Sequence, residues 1–151
     1  MVCLGNICRS PIAEGVMQHK VKMAGLDWVV ESAGTYGFHE NEPPHVSSIK
    51  VCKENGIDIH HQRARKLKES DFENYDLLLP MANDVLFGMQ TIGGDSFSTK
   101  KCPLFLDALF PGMLKDVPDP YYGTYEDFEK VYQLIDKCCD AILSKYGEQK
   151  K

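Results

Sequence analysis

Val2-Cys3-Leu4-Gly5-Asn6-Ile7-Cys8-Arg9-Ser10-Pro11-Ile12-Ala13 is the stretch from which the fold can be read. Val2 and Cys3 have the character of a strand end. Ser10-Pro11 reads as a helix N-cap followed by Pro at the first helical position, where its missing N–H is no loss. Between them, a thiol and a guanidinium six positions apart bracket a short loop. Gly5 lets that loop curl where a side chain would clash, so that successive backbone N–H groups can face one oxyanion. The helix start adds free N–H groups and a favourable dipole. Cys3 in that field is expected to be a thiolate nucleophile.

A cysteine near a glycine is often only packing. Here, among six Cys and three Arg, Cys3–Arg9 is the only Cys-x5-Arg pair, and Gly5, Ser10 and Pro11 each stand where the loop needs them. A nucleotide-binding loop is excluded, because the Gly-Lys-Ser/Thr ending that holds triphosphate and magnesium is missing.

Working outward, 151 residues with 43% hydrophobic content suit one domain, 1–147, closed by a polar tail, 148–151. A net charge of −5 argues against a nucleic-acid partner or a basic membrane patch, and leaves attraction of an anion to the loop and Arg9. No apolar run nears the roughly 20 residues of a membrane span, and no leader pattern opens the chain. Cys3, Cys8, Cys52, Cys102, Cys138 and Cys139 contain no C-x-x-C pair, which disfavours zinc and thioredoxin-type chemistry. No metal or other cofactor is expected, and the compartment expected is the reducing cytoplasm.

Helical spacing of Ile12, Ala13, Val16, Met17 and Val21 predicts a helix from Ser10 to about Ala24, stopped at Gly25. A second strand is expected over Asp27–Ser32, a loop over Ala33–Pro44, and a helix over His45–Asn55. One helical turn is expected at Glu69–Glu73, a buried strand at Tyr75–Pro80, a helix at Ala82–Gln90 and a loop over Thr91–Thr99. Cys102–Leu106 is expected as a last strand, and Tyr125–Tyr146 as a long amphipathic helix. Alternating strands and helices indicate an α/β domain with a parallel sheet, whose ligands bind beyond the strand carboxyl ends.

A cysteine that displaces an alkoxide from phosphorus needs an acid for the leaving oxygen and later a base for water. Asp119, in Val117-Pro118-Asp119-Pro120-Tyr121-Tyr122-Gly123, is the candidate, because prolines on both sides narrow its backbone. The same stretch is ordinary turn material, and its weight comes from the separate demand of the Cys3 loop. Tyr121 and Tyr122 beside it suit the walls of a slot for a flat ring.

Together, Cys3–Pro11 and Asp119–Gly123 resemble the phosphate loop and acid loop of the low-molecular-weight protein tyrosine phosphatases. The similarity continues through Ser32-Ala33-Gly34-Thr35, Pro43-Pro44 and Gly56-Ile57, over nearly the whole chain. The resemblance implies a single-domain, flavodoxin-like sheet of four parallel strands, order 2-1-3-4, flanked by helices, and a metal-free two-step reaction. It casts Cys3 as nucleophile, Arg9 as phosphate clamp and Asp119 as acid then base. The amides of Leu4, Gly5, Asn6, Ile7, Cys8 and Arg9 would form the cradle. Ser10 would support the Cys3 sulfur, Asn6 and Ser32 would hold the loop from within, and Phe38 would join Tyr121 and Tyr122 as pocket wall. The partner implied is a phosphotyrosine protein or peptide, met by a monomer or weakly self-associating chain. Ile7 with the Tyr pair favours phosphotyrosine over phosphoarginine.

The chain also departs from that pattern. Family members carry more strand residues ahead of the nucleophile than Met1 and Val2, so apolar residues added before Met1 should stabilise the sheet. Where the loop network usually has a His, this chain offers His61 or Gln62; Gln62 could still donate to Asn6 or Ser32, without the titrating role of a His. Met81 is followed by Ala82 rather than an acid. Cys8 is either a small buried filler or a thiol able to trap oxidised Cys3 as a disulfide. His39 and His45 read as solvated loop residues, and Arg63, Arg65, Lys66 and Lys68 as a solvated basic face. Rival readings are arsenate reduction, phosphoarginine hydrolysis and a non-catalytic phosphate-binding module.

Overall fold

The structure, a computed structural model, describes residues 1–147, and the expected polar tail lies outside the described residues. Strand β1 (Val2–Cys3) leads through the short loop into helix α1 (Arg9–Met23). Then come β2 (Ala33–Gly34), α2 (Val46–Glu54), α3 (Asp71–Asn74), α4 (Asn83–Gly93) and α5 (Tyr125–Gly147), with 3-10 turns at Gly94–Ser96 and Phe105–Ala108.

The sheet is parallel and is built outward from β1. On one side Val2 pairs with Ala33 and Cys3 with Gly34. On the other side Val2 N–H donates to Leu79 O at 3.0 Å and Met81 N–H to Val2 O at 2.8 Å, around a parallel bridge between Val2 and Pro80. Farther out, Leu78 N–H donates to Lys101 O at 3.0 Å and Phe105 N–H to Pro80 O at 2.8 Å. The extended segments therefore follow the expected order 2-1-3-4. Beyond β2 a further segment joins, since Gly34 N–H donates to Arg65 O at 2.9 Å and Leu67 N–H to Gly34 O at 2.7 Å.

Regular strand is scarcer than the sequence implied. The second strand pairs only at Ala33–Gly34, later than Asp27–Ser32, and just before it the Met1 amine donates to Glu31 O at 2.9 Å. Residues 27–31 instead line a cleft of about 870 Å³, faced by 74–79. The last expected strand is extended only over 102–104 before the 3-10 turn, and Pro103 there has no N–H to give a ladder.

Helix α1 has Cys8 rather than Ser10 at its N-cap, two residues earlier than expected, which places Ser10 and Pro11 inside the first turn. Pro11 still loses nothing there, as first-turn N–H groups have no helical partner. The helix stops where Gly25 turns left-handed (φ 67), with Gly25 N–H on Lys22 O and Leu26 N–H on Val21 O. Helix α5 lays Val131, Ile135, Cys138, Cys139 and Ile142 against the core formed with α1 and α2, and Phe128 against Ile7, Cys8 and Ala64. Each large aliphatic side chain buried there contributes on the order of 1.5–3 kcal/mol. Among the described residues no helix is long and apolar enough to cross a membrane.

Candidate active site

Residues Leu4–Cys8 form the loop between β1 and α1, and Asn6 makes its turn possible. Asn6 is left-handed (φ 58), a conformation Asn tolerates better than most residues. Its buried amide is fully used. Nδ2 donates to Ser10 Oγ at 2.8 Å and to Ser32 Oγ at 2.9 Å, while Oδ1 accepts from Arg65 N–H at 3.0 Å.

The loop's carbonyls are held outward. Leu4 O accepts from Tyr36 N–H at 2.9 Å, Ile7 O from His45 N–H at 2.8 Å, and Cys8 O from Ser48 Oγ at 3.1 Å. In a planar trans peptide the next N–H points the opposite way, so the amides of Gly5, Cys8 and Arg9 turn to the concave side. Gly34 closes the back, where no side chain fits. A Cβ there would lie 2.8 Å from Leu4 O and 3.0 Å from the Gly5 carbonyl carbon.

Cys3 is buried at the foot of this concavity. Its sulfur lies 2.9 Å from Ser10 Oγ and accepts from Asn6 N–H at 3.3 Å. In the Ser10 contact either atom can be the donor. Arg9, the first residue of α1, donates from Nη1 to Val117 O at 3.0 Å, and its Nη2 lies 3.6 Å from Asp119 Oδ2. Asp119 also accepts Tyr121 N–H on Oδ1 at 3.1 Å. The thiol, guanidinium and carboxyl singled out in the sequence thus converge, over a separation of more than a hundred residues.

The three aromatics expected as walls differ in exposure. Tyr121 is 39% exposed, Phe38 75% and Tyr122 96%, so Tyr122 touches little beyond the Tyr121 ring, with centroids 4.8 Å apart. His39 fills the space between Phe38 and Tyr121, at centroid distances of 5.1 and 6.5 Å. It lies over Gly5 and pairs with Glu42 at 2.7 Å, so it is no free solvated side chain. His45 is likewise engaged, capping α2 through Ser47 N–H and stacking on Phe128.

Other expectations need correction. Gln62 does not reach Asn6 or Ser32; its Nε2 donates to Pro11 O at 3.2 Å, and its Oε1 is buried without a partner. His61 is exposed. Arg65 is not a free surface cation, because it makes a two-point pair with Asp71 at 2.9 and 3.2 Å. Cys8 is buried, and burial first, then the neighbouring Cys3 and Asp119, push its thiol up to about 12.

Glu14 was missed by the sequence reading. It accepts the Ser32 hydroxyl on Oε1 at 3.1 Å, which makes a continuous chain Glu14–Ser32–Asn6–Ser10–Cys3. Burial raises the Glu14 carboxyl above its ordinary range, opposed by the Ser32 hydrogen bond. The available signal was its spacing: Glu14 stands four residues after Ser10, on the same helix face.

With this geometry in place, the matches to known proteins are informative. Residues 1–151 match the family described as low molecular weight phosphotyrosine protein phosphatase. The chain belongs to this family. A fission-yeast (Schizosaccharomyces pombe) protein of that name is 41% identical over 139 residues, 89% of this chain and 88% of its own. The Bacillus subtilis low molecular weight protein-tyrosine-phosphatase YfkJ is 34% identical over 99% of this chain and 96% of its own. Its crystal structure superimposes with a TM-score of 0.90, at 33% identity over 99% of this chain and 94% of that one. Vibrio vulnificus Wzb in complex with benzylphosphonate gives 0.85, at 33% identity over 95% and 94% of the two chains.

Proposed function

We propose that this chain hydrolyses phosphotyrosine in proteins through a phosphocysteine intermediate, with small aryl phosphates as lesser substrates. The observation that carries the reading is the placement of the Cys3 sulfur inside the loop with Arg9 bridging to Asp119. In the first step Cys3 Sγ forms a bond to phosphorus while the bond to the phenolic oxygen breaks, and Asp119 supplies the proton to that oxygen. In the second, Asp119 takes a proton from water, the water oxygen bonds to phosphorus, and Cys3 leaves as thiolate. The sum is phosphoester plus water to tyrosine plus phosphate. Arg9 and the loop amides hold the phosphoryl oxygens and gain strength as charge builds on them.

Phosphotyrosine is favoured by the rings near the loop: Tyr121, His39 and Phe38 offer aromatic contacts that an aryl group can use and a phosphoserine cannot. Ile7 and the Tyr pair support phosphotyrosine over phosphoarginine. Arsenate reduction needs mobile relay thiols, whereas Cys52, Cys102, Cys138 and Cys139 are buried and pushed up in pKa by that burial. A binding-only module would have no use for Asp119 against Arg9. Six free thiols suit a reducing compartment, and we place the chain in the cytoplasm. The exposed rings of Phe38 and Tyr122 support weak self-association at most.

The test is hydrolysis of para-nitrophenyl phosphate in EDTA at mildly acidic pH. Cys3→Ser is expected to abolish turnover, and Asp119→Ala to lower kcat by about 10²–10⁴-fold, the range for a lost general acid. A folded native chain without activity sinks the proposal.

A further inference from the structure

We propose that His45 is a positioning residue that sets the acid-loop wall of the pocket, and that it does so as the neutral imidazole. The inference rests on the catalytic reading of Cys3, Arg9 and Asp119 above. One residue here touches four elements. Its backbone N–H holds the phosphate loop through Ile7 O at 2.8 Å. Its Nδ1 accepts Ser47 N–H at 3.0 Å and so caps α2. Its ring stacks on Phe128 of α5, with centroids 4.8 Å apart and planes at 23°, and meets Tyr121 of the acid loop at 5.9 Å and 70°. Tyr121 N–H in turn holds Asp119 Oδ1 at 3.1 Å.

The choice of residue is informative. For capping alone, Asp, Asn or Ser serves a helix better than His does. Only an aromatic ring can also fill the gap between Phe128 and Tyr121 and give the edge contact that fixes Tyr121. The cap then dictates the protonation state. Nδ1 accepts only when the ring proton sits on Nε2, and an imidazolium has no acceptor left. A cation at this point would also oppose the dipole of α2. The groups that meet the ring are Ser47 N–H from α2, Phe128 from α5 and Tyr121 from the acid loop, with no carboxylate or cation among them. Burial against them lowers the His45 pKa, in keeping with a neutral ring. Acidification through that value releases the cap and frees Tyr121 to swing.

Two variants separate cap from ring. His45→Asn keeps a cap acceptor and removes the ring; His45→Phe keeps the ring and removes the acceptor. With a phosphotyrosyl peptide, His45→Asn should hold its Tm and raise KM about 3–10-fold at every pH, the effect of one lost aromatic edge contact. His45→Phe should lose about 2–4 °C in Tm, keep its KM, and lack the rise in KM that the native chain shows on acidification. Independently of turnover, the Tyr121 ring resonances in the substrate-free native protein should shift with the His45 titration. A flat Tyr121 titration, or native KM at all pH values in His45→Asn, overturns the inference while leaving the catalytic reading standing. A native chain that does not hydrolyse the peptide defeats that reading instead, and Tyr121 resonances that still follow His45 keep the positioning role.

Discussion

Gly34 shows how little space the phosphate loop leaves for chemistry to be built on it. The atoms its Cβ would meet, Leu4 O at 2.8 Å, the Gly5 carbonyl carbon at 3.0 Å and Asn6 N at 3.1 Å, are all backbone, so no rotamer change can relieve the clash. Gly34→Ala must therefore displace the loop itself, at a cost of about 1–3 kcal/mol in stability. A fall of more than about tenfold in kcat/KM is expected beside it, since a misplaced cradle loses transition-state contacts. Steady-state kinetics and a melt check this. A folded variant with native kcat/KM would mean that the packing of β2 against the loop is not what holds the cradle. Asn6 poses the complementary case: its left-handed turn persists because three hydrogen bonds from one side-chain amide over-determine it.

At the scale of elements, the weak point is the first strand. Met1 is the first residue to pair, and ahead of it 27–31 and 74–79 flank the cleft of about 870 Å³ with apolar side chains such as Trp28, Val30, Leu77 and Leu79. The hydrogen-bond pattern on both sides of β1 continues naturally into that space. Adding four or five apolar residues before Met1 should place a strand between these segments. Pairing and burial there are expected to raise Tm by about 3 °C or more, roughly 1 kcal/mol for a chain of this size. Amide exchange at 29–31 and 77–79 should slow with it. An unchanged Tm with unchanged exchange would show that the cleft does not accept a strand.

At the scale of the whole molecule, two half-buried groups give stability opposite dependences on pH. Burial lowers the Met1 amine from 8.0 to about 6, partly offset by the nearby Glu14. A base with a depressed folded pKa is charged sooner in the unfolded chain, so stability is lost as pH falls from about 8 through about 6. Glu14 runs the other way. Its raised folded pKa makes its contribution full below the ordinary carboxylate range, and that contribution is lost as pH rises through the raised value. Glu14→Gln removes the second dependence and keeps an acceptor for Ser32. Its Tm should exceed that of the native chain at neutral pH and approach or fall below it at acidic pH. A Tm difference that stays constant with pH counts against a Glu14 that titrates in the folded chain.

What the sequence determined by itself is whatever depends on neighbours along the chain. The spacing of Cys3, Gly5, Arg9 and Pro11 specifies a curled loop entering a helix, and the period of Phe128, Val131, Ile135, Cys139 and Ile142 specifies the buried face of α5. The flanking prolines mark Asp119 for the same local reason. Tertiary structure decided everything that depends on what lies opposite. Residues 27–31 have strand-like composition but pair with no strand among the described residues, and Pro103, with no N–H, interrupts the ladder of the last segment. His39 and His45 read as solvated because composition says nothing of Gly5, Phe128 or Tyr121 lying against them. Gln62 turns to Pro11 rather than Asn6, and Glu14 takes the place beside Ser32, because Asn6 already spends its amide on Ser10, Ser32 and Arg65. Hydrogen-bond partners and burial are properties of packing, and only the folded chain assigns them.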